Sequence, residues 1–282
     1  MSLKFLDLSF LLKKYAIRPK KSLGQNFLSD PNGLQKVIDA ARLSANDEVL
    51  EIGAGLGSLT VLLAQLARQV TAIEIDRTLL PALSEAILPY PNIELIEGDI
   101  LEIPPETLPL ADGYVVVANI PYYITSAIIR HLLSSTHKPG RLVMTVQKEV
   151  AERILARDGK HSLLSLSVQV YGTPEITAVI PAGCFYPAPD VDSAVIRVSL
   201  FPQPAIPLQS IGDFFVLAHA GFAQKRKTLR NSLSAGLKLS AGEIDSLLSA
   251  ASINPQRRAE TLSIKEWNQL TQAFQDFKRK PN

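Results

Sequence analysis

Between Asp47 and Gln147, short aliphatic and β-branched runs alternate with amphipathic stretches. The runs are Val49–Ile52, Val70–Ile75, Ile93–Ile96, Tyr114–Ala118 and Leu142–Val146, and helical patterns such as Leu59–Ala67 and Thr78–Ile87 fall between most of them. Runs of this length alternating with helices predict parallel strands joined by crossover helices. Asp30-Pro31 reads as an N-cap followed by proline at the first helical position, opening a helix ahead of the first long strand. Leu163–Tyr171 and Ser193–Leu200 predict further strands of the same sheet. Three prolines within Phe201–Pro207 cannot continue a helix or a central strand, so this stretch reads as a linker. Beyond it the period becomes helical over 210–222, 228–237, 241–251 and 264–277. The pattern predicts a larger α/β domain over 1–200 and a small all-helical domain over 208–282.

Composition narrows the class. Almost half of the 282 residues are apolar, enough for a sizeable core. No apolar run approaches the roughly 20 residues that cross a bilayer, and no membrane association is expected. The single cysteine, Cys184, excludes an intrachain disulfide and any site built from several thiolates, which suits a reducing, cytoplasmic setting. Met1–Lys14 lacks the long apolar stretch and cleavage site of a secretory signal and reads as an ordinary first helix or a frayed terminus. The net charge of +2 hides an uneven distribution. Residues 1–30 hold six Lys/Arg against two acids, residues 31–200 hold 12 against 19, and residues 201–282 hold 11 against six. A phosphate-rich partner touching both basic ends, 1–30 and the helical tail, accounts for this division.

Val49–Gly57 runs from a strand through glycines at 53, 55 and 57 into a helix. The spacing is G-x-G-x-G rather than the G-x-G-x-x-G of dinucleotide folds. With Glu51 ahead of the turn, a cofactor with a charged amino-acid end and no phosphate fits better than a pyrophosphate. The next strand ends in Glu74, with Ile75 after it, where a carboxylate can accept from ribose hydroxyls. The third ends in Gly98-Asp99-Ile100, where Asp99 can accept from an adenine amino group and Ile100 can pack on the ring. Because ligands bind outside the carboxyl ends of strands in open α/β sheets, these sites converge, and together they point to S-adenosylmethionine.

Asn119-Ile-Pro-Tyr122 follows the fourth strand. The N6 lone pair of adenine is delocalised into its ring, so a site that methylates it must hold the two N6 hydrogens with acceptors. The Asn119 side-chain carbonyl and the Ile120 backbone carbonyl can do so. Pro121 stiffens the turn, and Tyr122 can stack on the base. No shifted general base is required, in keeping with four histidines (131, 137, 161, 219) that form no constellation. Phe185 or Tyr186, in the proline-stiffened stretch after a strand, can close the other face of the base. No metal site is expected.

Taken together, these residues resemble the ribosomal RNA adenine dimethylases, the small-subunit branch most closely. The resemblance runs over Lys21–Leu28 (KSLGQNFL), Glu51–Gly57, Glu74–Asp76, Gly98-Asp99, Asn119–Tyr122, the 185–195 loop and Phe222–Asn231 (FAQKRKTLRN). It implies a Rossmann-like S-adenosylmethionine-dependent methyltransferase sheet with a small helical C-terminal domain. It also implies that Asn26 and Leu28 line the cofactor pocket with Gly53, Gly55, Glu74, Asp99 and Asn119. The implied reaction dimethylates two adjacent adenosines near the 3′ end of small-subunit rRNA, acting on a small-subunit precursor as a monomer. The family often carries Arg where this chain has Lys225, which keeps the charge and loses the bidentate geometry. Lys225, Arg226, Lys227 and Arg230 are the expected phosphate contacts. The alternatives are a large-subunit adenine methylase of the antibiotic-resistance type and a non-catalytic RNA-binding assembly factor.

Overall fold

The computed structural model describes residues 3–119, 124–157 and 159–279, the side chain of Ser126 excepted. They divide into two compact units, Met1–Ala151 with Pro174–Leu200, and Glu152–Thr173 with Phe201–Asn282.

In the first unit a two-stranded ribbon is formed by β1 (Phe27–Leu28) and β8 (Phe185–Tyr186). The main sheet holds β2 (Glu48–Ile52), β3 (Gln69–Glu74), β4 (Ile93–Glu97), β5 (Val115–Asn119), β6 (Arg141–Gln147), β7 (Gly172–Ile180) and β9 (Ser193–Leu200). Their order is β4-β3-β2-β5-β6-β9-β7. The pairs among β2 to β6 are parallel, and β9 runs antiparallel to β6. The chain steps outward from β2 to β4 and then returns to β5 beside β2. This reversal opens a crevice at the carboxyl ends of β2 and β5.

Local sequence explains the arrangement. Val115–Ala118 is fully buried, as a central parallel strand covered on both faces must be. The outer strand β4 instead exposes Glu94 and Glu97. Helix Pro31–Ala41 begins as its dipeptide predicts, with the Asp30 carboxylate accepting from the Gly33 amide and Pro31 in the first turn. The N-terminal helix Leu8–Lys14 seats Leu8 and Leu11 against Phe27, Leu56 and Leu79.

Leu163–Tyr171 is not a strand. Helix Leu163–Gln169 occupies most of it, and the strand begins only at Gly172. The Leu/Ser alternation imitates a period of two, but Ser162 and Ser165 form a reciprocal capping box that starts a helix. This helix belongs to the second unit, where the Gln169 amide donates to the carbonyls of Ile154 and Ala156. The proline-rich stretch 201–207 lacks helix and strand but is not a free linker: Phe201 and Ala205 amides donate to Tyr171 and Val170 carbonyls, and Ile206 is buried.

The rest of the second unit is helical: Ile211–Phe222, Leu229–Leu237, Ala241–Ala250 and Ile264–Arg279. Trp267 is fully buried between Phe214, edge-on at 6.2 Å, and Phe222, stacked at 5.9 Å. Helices Ile211–Phe222 and Leu229–Leu237 approach so closely that a Cβ on Gly236 would lie 2.6 Å from Ala220 Cβ and 2.8 Å from its Cα. Gly236→Ala gains up to about 1 kcal/mol in helix propensity but incurs an overpacking cost of about 1–3 kcal/mol. The expected outcome is a lower urea midpoint in fluorescence from Trp267, the chain's sole tryptophan. A midpoint equal to or above the parent's means that the helices separate at no cost.

Candidate active site

A cavity of about 310 Å³ opens in the first unit at the carboxyl ends of β2, β3 and β5. Asn26, Leu28, Gly53, Gly55, Glu74, Ile75, Asp99, Ile100 and Asn119 all line it. These nine residues come from five separate stretches, four of them gathered by the parallel register of β2, β3, β4 and β5 and the fifth carried on the β1–β8 ribbon.

The turn after β2 is shaped by backbone constraints. Gly53 and Gly55 hold φ of 78° and 60°, in the left-handed region. A Cβ on Gly55 would meet the Phe27 ring at 3.2 Å, so a side chain there would push against the segment that forms another wall. The Glu74 carboxylate holds this turn: Oε2 accepts from the Gly55 amide at 2.7 Å and Oε1 from the Asp76 amide at 2.8 Å. Burial pushes the Glu74 carboxyl above the usual carboxylate range, while these amides pull it back.

Asp99 Oδ1 accepts from the Leu101 amide at 2.9 Å, closing an Asx turn at the edge of the cavity. Ile100 is buried, whereas Ile75 is half exposed, so the cavity presents an uncovered apolar side chain beside two carboxylates. Asn119 closes β5, its amide nitrogen 3.5 Å from the Asn26 carbonyl.

Glu51 is the most deeply buried acidic side chain lining the cavity. Its side chain is fully buried on β2, and Oε2 has no hydrogen-bond partner among the described residues. Burial pushes its carboxyl up to about 8, with the Thr60 hydroxyl opposing this and the Glu74 carboxylate adding to it. An unpaired carboxyl oxygen facing a cavity is a place for a donor. The residues therefore fit S-adenosylmethionine on this structure's own terms: an orphan acceptor for an ammonium, acidic strand ends for ribose and base, apolar walls, and enough volume for a cofactor.

The other expected residues are not among the described residues that line the cavity. Ile120, Pro121 and Tyr122 fall outside the described residues. Phe185 is 4% exposed, packs in the main core and does not line the cavity, so its ring is not presented to a base. In the β1–β8 ribbon Leu28 pairs with Phe185 and Phe27 with Tyr186, and alternation turns Tyr186 outward, half exposed.

In the second unit Lys225, Arg226 and Lys227 are exposed in the turn between helices Ile211–Phe222 and Leu229–Leu237. Arg230 is engaged: Nε and Nη2 donate to the two Asp245 oxygens at 2.6 and 2.7 Å, so a phosphate there competes with a carboxylate. Sequence reasoning missed Lys20, Gln25 and Asp76, which are joined by side-chain hydrogen bonds. The signal was that Gln25 and Asp76 fall within stretches that carry the family resemblance, Lys21–Leu28 and Glu74–Asp76.

The ribosomal RNA adenine dimethylase family model matches residues 17–276. Ribosomal RNA small subunit methyltransferase A of Dehalococcoides mccartyi is 47% identical over 263 residues, covering 92% of this chain and 90% of its own length. The Lysinibacillus sphaericus protein of the same name is 41% identical over 274 residues, with 94% of each chain covered. Among solved structures, a dimethyladenosine transferase from Plasmodium falciparum aligns with a TM-score of 0.72 and 28% identity, over 89% of this chain and 98% of that one. The 23S rRNA methyltransferase ErmE aligns at 0.67 and 28%, over 89% and 100%.

The state of Glu51 sets a pH dependence. Its folded pKa lies above the ordinary value, so the folded cofactor-free chain binds more protons than the unfolded one between about 4.5 and 8, and stability falls as pH rises through that window. Glu51→Gln removes this loss. Between pH 5 and pH 8 the melting temperature of the variant is expected to rise relative to the parent by differential scanning calorimetry; parallel curves argue against a neutral Glu51.

Proposed function

The chain belongs to the ribosomal RNA adenine dimethylase family, and we propose that it dimethylates N6 of two adjacent adenosines near the 3′ end of small-subunit rRNA. It is an S-adenosylmethionine-dependent rRNA adenine dimethyltransferase with a Rossmann-like catalytic sheet and a helical C-terminal region. The choice of the small subunit rests on relatives 41–47% identical over nine-tenths of the chain, against 28% for the 23S enzyme. The setting we infer is a precursor of the small subunit in the cytoplasm, with the chain acting as a monomer. No described helix is long and apolar enough to cross a membrane.

One observation carries the reading: Asn119 shares a single cavity with the Gly-rich turn, Glu74 and Asp99. When bound, S-adenosylmethionine supplies an electrophilic methyl group on a sulfonium. Glu51 would hold its amino-acid end, Glu74 the ribose hydroxyls and Asp99 the adenine amino group, with Ile75 and Ile100 as apolar neighbours. The Asn119 side-chain carbonyl accepts one N6 hydrogen of the target and the Ile120 carbonyl the other, which turns the nitrogen lone pair toward the methyl donor. Tyr122 stacks on the target base. Each of the two transfers leaves N6 cationic, and the proton it then sheds passes to water, so no residue needs a tuned pKa for that step. The target must leave its stack, which favours single-stranded or loop RNA. Lys225, Arg226 and Lys227 hold its phosphates, and Arg230 shapes their turn through Asp245.

Asn119→Ala is expected to abolish methyl transfer to unmethylated small subunits while RNA affinity stays within a few-fold. Labelled S-adenosylmethionine followed by rRNA digestion measures it, and the parent should yield N6,N6-dimethyladenosine from the small-subunit RNA. Undiminished transfer by the variant would refute the assigned role, and label in large-subunit RNA would refute the substrate. Replacing Lys225, Arg226 and Lys227 together by alanine should weaken RNA binding and flatten the slope of log affinity against log salt by roughly 2–3. Arg230→Ala should instead lower the melting temperature.

A further inference from the structure

The segment Lys20–Leu28 forms one wall of the cavity, with Leu23, Gly24, Gln25, Asn26, Phe27 and Leu28 all lining it. Its far end is anchored by the β1–β8 ribbon and by the Ser29 amide, which donates to the Cys184 carbonyl at 3.0 Å. Its near end rests on Asp76. Lys20 Nζ donates to Asp76 Oδ1 at 2.7 Å, and Gln25 Nε2 donates to Oδ2 at 2.7 Å. The two donors are also joined to each other, the Lys20 amide donating to Gln25 Oε1 at 2.8 Å. Thr78 completes the shell, its hydroxyl donating to Asp76 Oδ1 at 2.7 Å.

Asp76 itself does not line the cavity, and its side chain is 3% exposed. Burial works against its charge, yet the hydrogen bonds from Lys20, Thr78 and Gln25 outweigh that and hold its carboxyl at about 2. Its own amide donates to Glu74 Oε1, and Glu74 Oε2 accepts from Gly55. A continuous chain of hydrogen bonds thus runs from the wall segment through Asp76 and Glu74 to the Gly-rich turn.

We propose that Asp76 is a positioning residue for the cofactor: it straps the Lys20–Leu28 segment across the cavity and registers that wall against Glu74 and Gly55. The inference rests on the cofactor reading above and adds a residue outside the cavity to it. The strap forms only when a buried carboxylate, a half-exposed lysine and a cavity-lining glutamine meet. Removing any one of them therefore leaves the others partly unpaired.

The test uses the full chain and S-adenosylmethionine as the probe. For Asp76→Ala, cofactor affinity by isothermal titration calorimetry should fall roughly tenfold, the loss of one charge-assisted hydrogen bond. The KM for S-adenosylmethionine should rise by the same factor, with kcat and the KM for RNA within twofold of the parent. Hydrogen exchange should quicken over residues 20–28 and stay unchanged in β2 and β3. Lys20→Met, on the surface side, should move both readouts in the same direction by less, and adding it to Asp76→Ala should cost nothing further. Folded variants that bind the cofactor within twofold of the parent overturn the proposal, as does faster exchange spread through β2 and β3. If Asp76→Ala fails to fold, Lys20→Met and Gln25→Met decide by the same criteria. A parent chain that binds no S-adenosylmethionine instead sinks the cofactor reading itself.

Discussion

The Glu74 carboxylate, at the end of β3, accepts one backbone amide from the turn after β2 and another from the turn after its own strand. Those two bonds join the glycine turn to the neighbouring strand end, and the walls of the cavity are arranged around that joint. A carboxylate can do this because it offers several lone pairs: two are used on backbone amides, and the remaining ones still face the cavity. Fixing both turns before a ligand arrives spares the entropy of ordering them on binding.

Three acidic side chains crowd this end of the sheet, and their surroundings give them different characters. Glu51 is buried with an unpaired oxygen, so the neutral form prevails until a cation or donor enters. Glu74 is buried as well, but backbone amides offset part of that cost. Asp76 is charged, ringed by Lys20, Gln25 and Thr78. A single arrangement therefore supplies an acceptor awaiting its partner, an acceptor that shapes the backbone, and a charge that anchors a wall. This grading avoids the repulsion that three adjacent carboxylates would suffer if all were ionised.

The second unit follows a different logic. Its core is aromatic and tightly apposed, with Trp267 enclosed by Phe214 and Phe222 and with Gly236 allowing two helices to touch. Such packing presents the turn carrying Lys225, Arg226 and Lys227 with its side chains in solvent. Exposed cations on a rigid support are suited to phosphates, because they give up little hydration and need no rearrangement.

Much of this was legible in the linear chain. Fully buried strands such as Val115–Ala118 announce themselves as unbroken apolar runs, Asp30-Pro31 announces a helix start, and the glycines at 53 and 55 announce a backbone that side chains rarely adopt. The convergence of Gly53, Glu74, Asp99 and Asn119 follows from strand alternation alone, since parallel strands end on the same side. What local pattern could not decide were matters set by partners distant in sequence. The Leu/Ser alternation of 163–167 suits a strand until the Ser162–Ser165 cap is formed. Phe185 and Tyr186 are equivalent as letters, and only pairing with Leu28 and Phe27 sends one inward and the other out. Arg230 looks like its basic neighbours until Asp245 occupies it, and Asp76 looks like a solvated strand end until Lys20 and Gln25 reach it from more than 50 residues away. Periodicity and turn chemistry are properties of neighbouring residues and so can be read along the chain. Which of two similar side chains is buried, paired or free depends on packing, and packing exists only once the chain has folded.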